Sequence, residues 1–176
     1  MSGHPPHTGT HVQSAWPLDT AQLKDAMSRF TTGVTVVTTR HEGHDYGMTC
    51  NSFNTVSIDP PLVMWCIRKT SQSHAAFTQG AGYVVNVLAA TQQPLAMAFT
   101  QGSHAQRFDG VACVRTASGK QRIEGAVAWF DCTLEQTVSA GDHDILIGRV
   151  QAVGTQEAQG LAYARRQFGV LAAPAA

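Results

Sequence analysis

The sequence carries little charge and no excess of either sign. Of its 176 residues only 14% are Asp, Glu, Lys or Arg, and twelve acidic residues balance twelve basic ones. Proteins that bind polyanions concentrate positive charge on one surface, so nucleic acid is not an expected partner. A chain with so few charges leaves apolar surface uncovered, and self-association commonly buries such surface. We therefore expect a homodimer.

Long apolar runs are also missing. No uninterrupted hydrophobic segment approaches the roughly 20 residues that cross a bilayer, so no membrane association is expected. The first 18 residues are rich in His, Pro, Gly and Thr and lack the apolar core of a signal peptide. We interpret residues 1–18 and 172–176 as flexible tails around one domain, residues 19–171, which is long enough to bury a sizeable core. Cytoplasmic residence is the expectation that follows.

Patterns typical of metal sites and of Rossmann nucleotide sites are absent. No C-x-x-C or H-E-x-x-H pattern occurs, so no metal site is expected. No G-x-G-x-x-G follows a predicted strand, and strands do not alternate strictly with helices, which disfavours a doubly wound sheet. The cysteines are scattered in apolar or strand-like runs and are expected to be reduced thiols: Cys50, Cys66, Cys113 and Cys132.

The pattern that is present predicts a mainly β protein with short α-helices. The β-branched run Val34–Thr39 predicts a strand, and the polar segment His41–Asp45 predicts a hairpin turn after it. Asp19 starts a predicted helix over about residues 20–30, which Gly33 is expected to end. Further strands are predicted over residues 62–67, 83–88, 127–138 and 144–153, and helices near residues 75–77 and 91–100. Hairpin-linked strands in this number predict an antiparallel barrel, closed or partly closed.

The most informative segment runs from Tyr46 to Leu62. It begins like a strand and must leave the sheet by Pro60–Pro61, because proline has no N–H to donate. Thr49, Asn51 and Ser52 lie among apolar residues within it. Small hydroxyl and amide groups beside backbone N–H groups suit a flat heteroaromatic ligand with carbonyls and ring nitrogens. A half-buried strand with a polar outer face has the same composition, and both interpretations stay open on these residues alone.

A second polar segment, Arg68–His74, follows a strand and precedes a helix. Cations and hydroxyl groups before a helix favour phosphate, because the first N–H groups of a helix have no partner and its dipole is positive there. Ordinary N-capping of the helix by Ser71 or Ser73 would produce the same sequence pattern, so both interpretations stay open. Two later features have more than one interpretation. Gln106–Gly110 could be a loop over a site, and Tyr163 with Phe168 could flank a bound ligand or seal the barrel, of which sealing is favoured.

Three separated motifs resemble the short-chain flavin reductase family: Phe30–Thr39, Gly47–Leu62 and Ala140–His143. They occur in this order, and the resemblance covers about residues 22–170. It implies an FMN-binding split β-barrel of Greek-key type and a homodimer. It also implies reduction of FMN or FAD by NADH or NADPH, with the reduced flavin supplied to a flavin-dependent monooxygenase. The alternative is a non-catalytic flavin- or haem-binding protein on the same barrel, since fold does not determine function.

The resemblance also implies roles for particular residues. His143 is the expected catalytic residue, in a turn that holds the nicotinamide with Gly141 and Asp142. A carrier has no need of that turn, which separates the two functions. The flavin ring and ribityl chain are expected to lie against Met48, Thr49, Cys50, Asn51, Ser52 and Ser57, with Cys66 beside them, and the phosphate end against Arg68, Ser71 and Ser73.

Overall fold

The computed structural model describes residues 17–104 and 106–171. The helices are α1 (Thr20–Ser28), α2 (His74–Gln79) and α3 (Gln93–Ala98), with 3-10 turns at Ala90–Gln92 and Gln106–Phe108. The strands are β1 (Thr32–Gly33), β2 (Thr35–His41), β3 (His44–Cys50), β4 (Asn54–Ser57), β5 (Leu62–Arg68), β6 (Gly82–Val87), β7 (Cys113–Arg115), β8 (Gln121–Ile123), β9 (Ala128–Ala140), β10 (His143–Thr155), β11 (Ala162–Ala164) and β12 (Gln167–Gly169).

A seven-stranded antiparallel sheet dominates the fold, in the order β3-β2-β6-β9-β10-β5-β4. Its two edge strands, β3 and β4, are consecutive in the chain and are joined by residues 51–53. The ladder between these edges is not closed, as in a split barrel. The predicted mainly β fold with an antiparallel split barrel is confirmed. Two smaller sheets, β1-β11-β12 and β7-β8, flank it.

Two hydrophobic clusters hold the sheet and its helices together. Inside the barrel, Trp65 on β5 packs edge-on against Phe77 of α2 at 4.9 Å and against Tyr83 of β6 at 5.7 Å between ring centroids. The other cluster packs β2 against α3 through Val36 and Phe99, which are 0% and 1% exposed. Full burial of such side chains stabilises a fold by about 1.5–3 kcal/mol each. Phe77 and Phe99 therefore fix the positions of α2 and α3 on the barrel.

Two features of the first half differ from expectation. The side chain of Asp19 caps α1 as predicted, accepting from the Ala21 N–H at 3.0 Å. The helix ends at Ser28, about two residues before the predicted end, and Gly33 does not terminate it. Gly33 belongs instead to β1, because that strand pairs with β11. The segment Tyr46–Leu62 is also divided: β3 ends at Cys50, β4 follows, and the double proline lies in the turn before β5.

Both long hairpins are tighter than the sequence indicates. The β2–β3 turn has Glu42 and Gly43 at φ 49° and 81°, the two positive values of a twist-compatible two-residue turn. The β9–β10 connection is only Gly141–Asp142, with Gly141 at φ 61°, whereas the predicted strands over residues 127–138 and 144–153 leave a longer connection between them. His143 therefore begins β10 and is held in the sheet.

The predicted tails, residues 1–18 and 172–176, lie outside the described residues, apart from Pro17 and Leu18. Among the helices that the structure describes, none is both long and apolar enough to cross a membrane.

Candidate functional site

A pocket of about 370 Å³ opens where β3 ends beside the segment that follows β5. We call it the hydroxyl pocket. It brings together five residues predicted from the sequence, namely Met48, Thr49, Arg68, Ser71 and Ser73. Its other lining residues are Thr70, Gln72, Phe99, Thr100, His104 and Arg107.

The Arg68–His74 segment supplies most of the hydroxyl groups in this pocket. Ser73 is 1% exposed, and its Oγ lies 3.4 Å from both ring nitrogens of His104. Ser73 occupies the N-cap position of α2 but makes no side-chain capping bond, whereas Ser71 Oγ accepts from the Ser73 N–H at 3.2 Å. The hydroxyl of Ser73 thus faces the pocket. Arg68 is exposed at the end of β5 and adds positive charge.

Two of the other residues that line the hydroxyl pocket, His104 and Arg107, were not selected as site residues from the sequence. Arg107 donates to the Gly47 carbonyl at 2.7 Å, which ties the segment predicted to be a loop over a site to β3. Burial lowers the pKa of His104, and the nearby charge of Arg107 lowers it further. The imidazole is therefore neutral near pH 7. Arg107 belongs to the segment predicted to be a loop over a site, whereas no local pattern marks His104, which reaches the pocket through the tertiary fold.

A second hollow of about 400 Å³ adjoins the hydroxyl pocket and shares Thr49 and Thr100 with it. We call it the apolar groove. Two predicted residues, Cys50 and Asn51, line it. Thr49 is fixed between the two hollows by donating its Oγ1 hydrogen to the Ala96 carbonyl at 2.6 Å. The remaining walls are Val34, Met97, Tyr163, Arg166 and Phe168.

Tyr163 and Phe168 pack against the barrel and also line the apolar groove. Their rings pack at 5.2 Å and adjoin the cluster beneath α3, which agrees with sealing. Arg166 was not selected from the sequence. It sits in the β11–β12 turn at φ 63°, a conformation that is uncommon for a residue other than glycine.

Ser52 and Cys66 are joined by hydrogen bonds. Ser52 Oγ accepts from the Cys66 N–H at 2.9 Å and lies 3.4 Å from the Cys66 carbonyl oxygen. Burial raises the pKa of the Cys66 thiol, and the nearby Cys50 raises it further, so Cys66 is a neutral thiol at pH 7. Ser57 pairs with Leu62 at the far end of β4 and does not line either of these two hollows.

The β9–β10 turn stands next to the hydroxyl pocket. His143 is directly opposite Arg68 in the β5–β10 ladder. Lys69 holds the turn, since its N–H donates to the Asp142 carbonyl at 3.0 Å and its Nζ donates to the Gly141 carbonyl at 2.8 Å. His143 Nδ1 lies 2.8 Å from Asp142 Oδ1, and this hydrogen bond lowers the pKa of Asp142. The predicted phosphate segment and the predicted nicotinamide turn are therefore fastened together.

A buried carboxylate strengthens this connection. Asp144, 8% exposed, accepts from His74 Nε2 at 2.7 Å and lies 3.8 Å from Lys69 Nζ. His74 begins α2, so Asp144 links β10 to that helix. Within residues 17–104 and 106–171, no three His, Cys, Asp or Glu side chains are grouped closely enough to hold a metal ion.

The amino-acid sequence of this chain is similar to those of known proteins. The chain is 41% identical over 148 residues to the reductase component of the flavin-dependent trigonelline monooxygenase of Acinetobacter baylyi, which covers 84% of the chain and 47% of that protein. The chain thus spans about half the length of the first curated relatives that it matches. It is 37% identical to the FMN reductase (NADH) SmoA of Agrobacterium fabrum, over 84% of the chain and 83% of the relative.

The fold is shared with a solved structure. The Streptomyces globisporus NADH:FAD oxidoreductase SgcE6, in complex with NAD and FAD fragments, matches with a TM-score of 0.87 and 34% identity, over 94% of this chain and all of the other. A family model, the flavin reductase like domain, matches residues 27–172. The chain belongs to the flavin reductase like domain family.

Proposed function

We propose that this protein is an NAD(P)H:flavin oxidoreductase that reduces FMN or FAD by hydride transfer and supplies the reduced flavin to a flavin-dependent monooxygenase. The observation that carries the proposal is that the hydroxyl pocket and the apolar groove adjoin each other and share Thr49 and Thr100 as lining residues. Together they offer hydroxyls and cations at one end and apolar walls at the other, which suits a flat ring with a phosphorylated polyol tail.

The residues of this chain fit each part of such a molecule. Arg68, with the Ser71 and Ser73 hydroxyls, would bind the phosphate, as charge-assisted hydrogen bonds to an anion are strong. The segment Met48–Ser52 would hold the ring and ribityl chain. Asn51 and the backbone around it supply donors and acceptors there, while Val34 and Phe168 exclude water from the opposite side.

The flavin and the nicotinamide supply the hydride chemistry, and the protein contributes their alignment. His143 is the residue we propose to orient the nicotinamide amide, with the Gly141–Asp142 turn around it. The pairing of His143 with Arg68, which lines the hydroxyl pocket, supports this assignment. Lys69 would keep the turn at a fixed distance from the flavin phosphate.

We further propose a homodimer in a reducing, cytoplasmic setting. Outward side chains of β5 and β10 form an apolar face, with Ile145 opposite Cys66 and Ile147 opposite Met64. Close to the same edge of the sheet, Met27 of α1 and Phe30, which follows that helix, are 66% and 75% exposed. A second copy would cover this surface.

All four cysteines are unpaired thiols, in keeping with a reducing compartment.

The activity is tested by measuring oxidation of NADH and of NADPH with FMN and with FAD, in all four combinations. We expect oxidation of at least one nucleotide to accelerate on addition of flavin, because the groove aligns both rings. Addition of riboflavin, which lacks the phosphate, is the control for tail recognition. A protein that binds flavin and leaves both nucleotides unoxidised would be a carrier and would refute the proposal.

Substitution of Arg68 tests the phosphate end. Arg68→Gln should weaken FMN binding about 10-fold or more, since loss of a hydrogen bond to a charged group typically costs about 1.5–3 kcal/mol. Riboflavin binding should change less than about twofold, as it has no phosphate to lose. Fluorescence titration measures both. Arg29→Gln is the charge-matched control, because Arg29 bonds to Asp25 within α1 and lines neither hollow. Equal losses for FMN and riboflavin would contradict the assignment.

Substitution of His143 tests the nicotinamide turn. His143→Ala should lower kcat/KM for the nucleotide about 10-fold, about 1.4 kcal/mol in the barrier, while FMN affinity stays near the native value. His143→Gln should recover much of the loss if the imidazole acts by hydrogen bonding, and little if its charge is needed. Steady-state kinetics of each variant distinguish a hydrogen-bonding role of His143 from a role of its charge. Native turnover by His143→Ala at every nucleotide concentration would remove His143 from the mechanism.

Analytical ultracentrifugation tests the dimer. The native protein should sediment as a dimer, and Ile147→Glu should raise the dimer dissociation constant by about 100-fold or more, because an unpaired charge would be buried. Val114→Glu is the matched control, since Val114 is 41% exposed on β7, away from β5 and β10. A native monomer at micromolar concentration would exclude the assembly.

A further inference from the structure

The segment Arg68–His74 contacts two different parts of the proposed site. Five of its seven residues line the hydroxyl pocket. The other two, Lys69 and His74, line neither the hydroxyl pocket nor the apolar groove, and their side chains contact the β9–β10 hairpin instead. One short stretch of chain therefore adjoins both the proposed position of the flavin phosphate and the turn proposed for the nicotinamide.

Lys69 makes the contacts to the turn. Its backbone N–H donates to the Asp142 carbonyl at 3.0 Å. Its Nζ donates to the Gly141 carbonyl at 2.8 Å and to Ser139 Oγ at 2.7 Å, and it lies 3.8 Å from Asp144 Oδ1. An ammonium group has three N–H donors, and these three oxygen atoms belong to β9, to the turn and to β10. A single side chain thus contacts both strands of the hairpin and the connection between them.

Asp144 holds the other end of the segment to the same hairpin. Its side chain is 11% exposed and accepts from His74 Nε2 at 2.7 Å, and His74 is the first residue of α2. That helix is fixed on the barrel, because Phe77 is fully buried and its ring packs against Trp65. The segment is therefore attached to β10 at its end by a mostly buried hydrogen bond.

The beginning of the segment and the turn are more open to water. The side chains of Lys69 and Asp142 are 40% and 80% exposed. Hydrogen bonds that water can reach open locally at a lower free-energy cost than buried ones. A ligand that orders such a region lowers the cost of ordering for a second ligand that needs the same arrangement. The flavin phosphate would order the segment from the pocket side, and the nicotinamide would order the turn.

We propose that Lys69 is a positioning residue that couples these two sites, so that the nicotinamide nucleotide binds more tightly when the bound flavin carries a phosphate. The inference rests on the proposed function and deepens it. The phosphate fixes the Arg68–His74 segment, Lys69 transmits that position to the Gly141–Asp142 turn, and His143 is thereby held in place for the nicotinamide amide. Such coupling is reciprocal, so the nucleotide also tightens the binding of FMN more than that of riboflavin, by the same factor.

Equilibrium binding of the nucleotide tests the coupling. Tetrahydro-NADH and tetrahydro-NADPH have no transferable hydride, so each is titrated by calorimetry into the native protein saturated with FMN or with riboflavin. We expect the Kd of at least one analogue to be about fivefold or more lower with FMN, which is the lower end of the range usual for coupled sites. Equal Kd values with the two flavins would overturn the inference, because the phosphate would then have no influence on the nucleotide site.

Substitution of Lys69 isolates its part in the coupling. Lys69→Met keeps the backbone N–H that bonds to Asp142 but removes the donors to Ser139 and Gly141, so the ratio of the two Kd values should fall to within about twofold. Lys69→Arg, which keeps a cation with N–H donors, should recover part of the ratio. Lys24→Met is the matched control, because Lys24 is exposed on α1 and lines neither hollow. A native ratio in Lys69→Met would overturn the inference.

Riboflavin binding and nucleotide oxidation separate the coupling from other effects. Riboflavin affinity should stay within about twofold of the native value in every variant, which shows that the variants fold. The two proposals also fail separately. A protein that oxidises the nucleotide with FMN, yet binds the analogues equally well with FMN and with riboflavin, defeats only the coupling. A protein whose oxidation of NADH and NADPH is accelerated by neither FMN nor FAD defeats the proposed function.

Discussion

The arrangement of the proposed site depends on one hydrogen bond, which the Ser52 hydroxyl accepts from the Cys66 N–H at the opening in the barrel. The two edges of the main sheet, β3 and β4, are joined by three residues that do not pair as a strand. At this gap the Ser52 side chain satisfies the Cys66 N–H, a group that a neighbouring strand would otherwise bind. Because an unpaired buried N–H is costly, this hydrogen bond lets the ladder stay open without loss of stability. The backbone beside it is thereby released from the sheet and remains available to a ligand.

Contacts of Phe99, Lys69 and Asp144 fix the helices and turns around the proposed flavin site relative to the gap between β3 and β4. Phe99 places α3 against β3, where Gly47 has no side chain: an added Cβ would collide with a Phe99 ring carbon. Lys69 fastens the β9–β10 turn to the end of β5, and Asp144 links the same region to α2. The site is thus built from strand ends and short connections that are anchored to a packed barrel. Such anchoring suits a protein whose task is to align two rings.

Much of the fold follows from local sequence. The β-branched run of β2, the glycine-containing turn after it and the alternation along β9 and β10 each specify a strand or a hairpin, because their side-chain periodicity matches the pleat. Local sequence did not predict the end of α1 correctly. Gly33 belongs to β1, because that strand pairs with β11, which lies more than 120 residues away in the sequence. The predicted site residues from Met48 to Ser52 and from Arg68 to Ser73 are grouped by the tertiary fold, as a Ser/Thr-rich pattern at two strand ends indicates. His104 carries no local signal, because it reaches the hydroxyl pocket only when its loop packs on the sheet, whereas Arg107 lies in the segment predicted to be a loop over a site.

The most direct test of the central claim is a crystal structure of the protein with FMN. We expect electron density for the ring in the apolar groove beside Asn51 and for the phosphate within hydrogen-bond distance of Ser71 or Ser73, with Ser52 still bonded to Cys66. Density for the ring at any other place, with the Cys50–Phe53 segment packed closed and Arg68 directed to solvent, would contradict it.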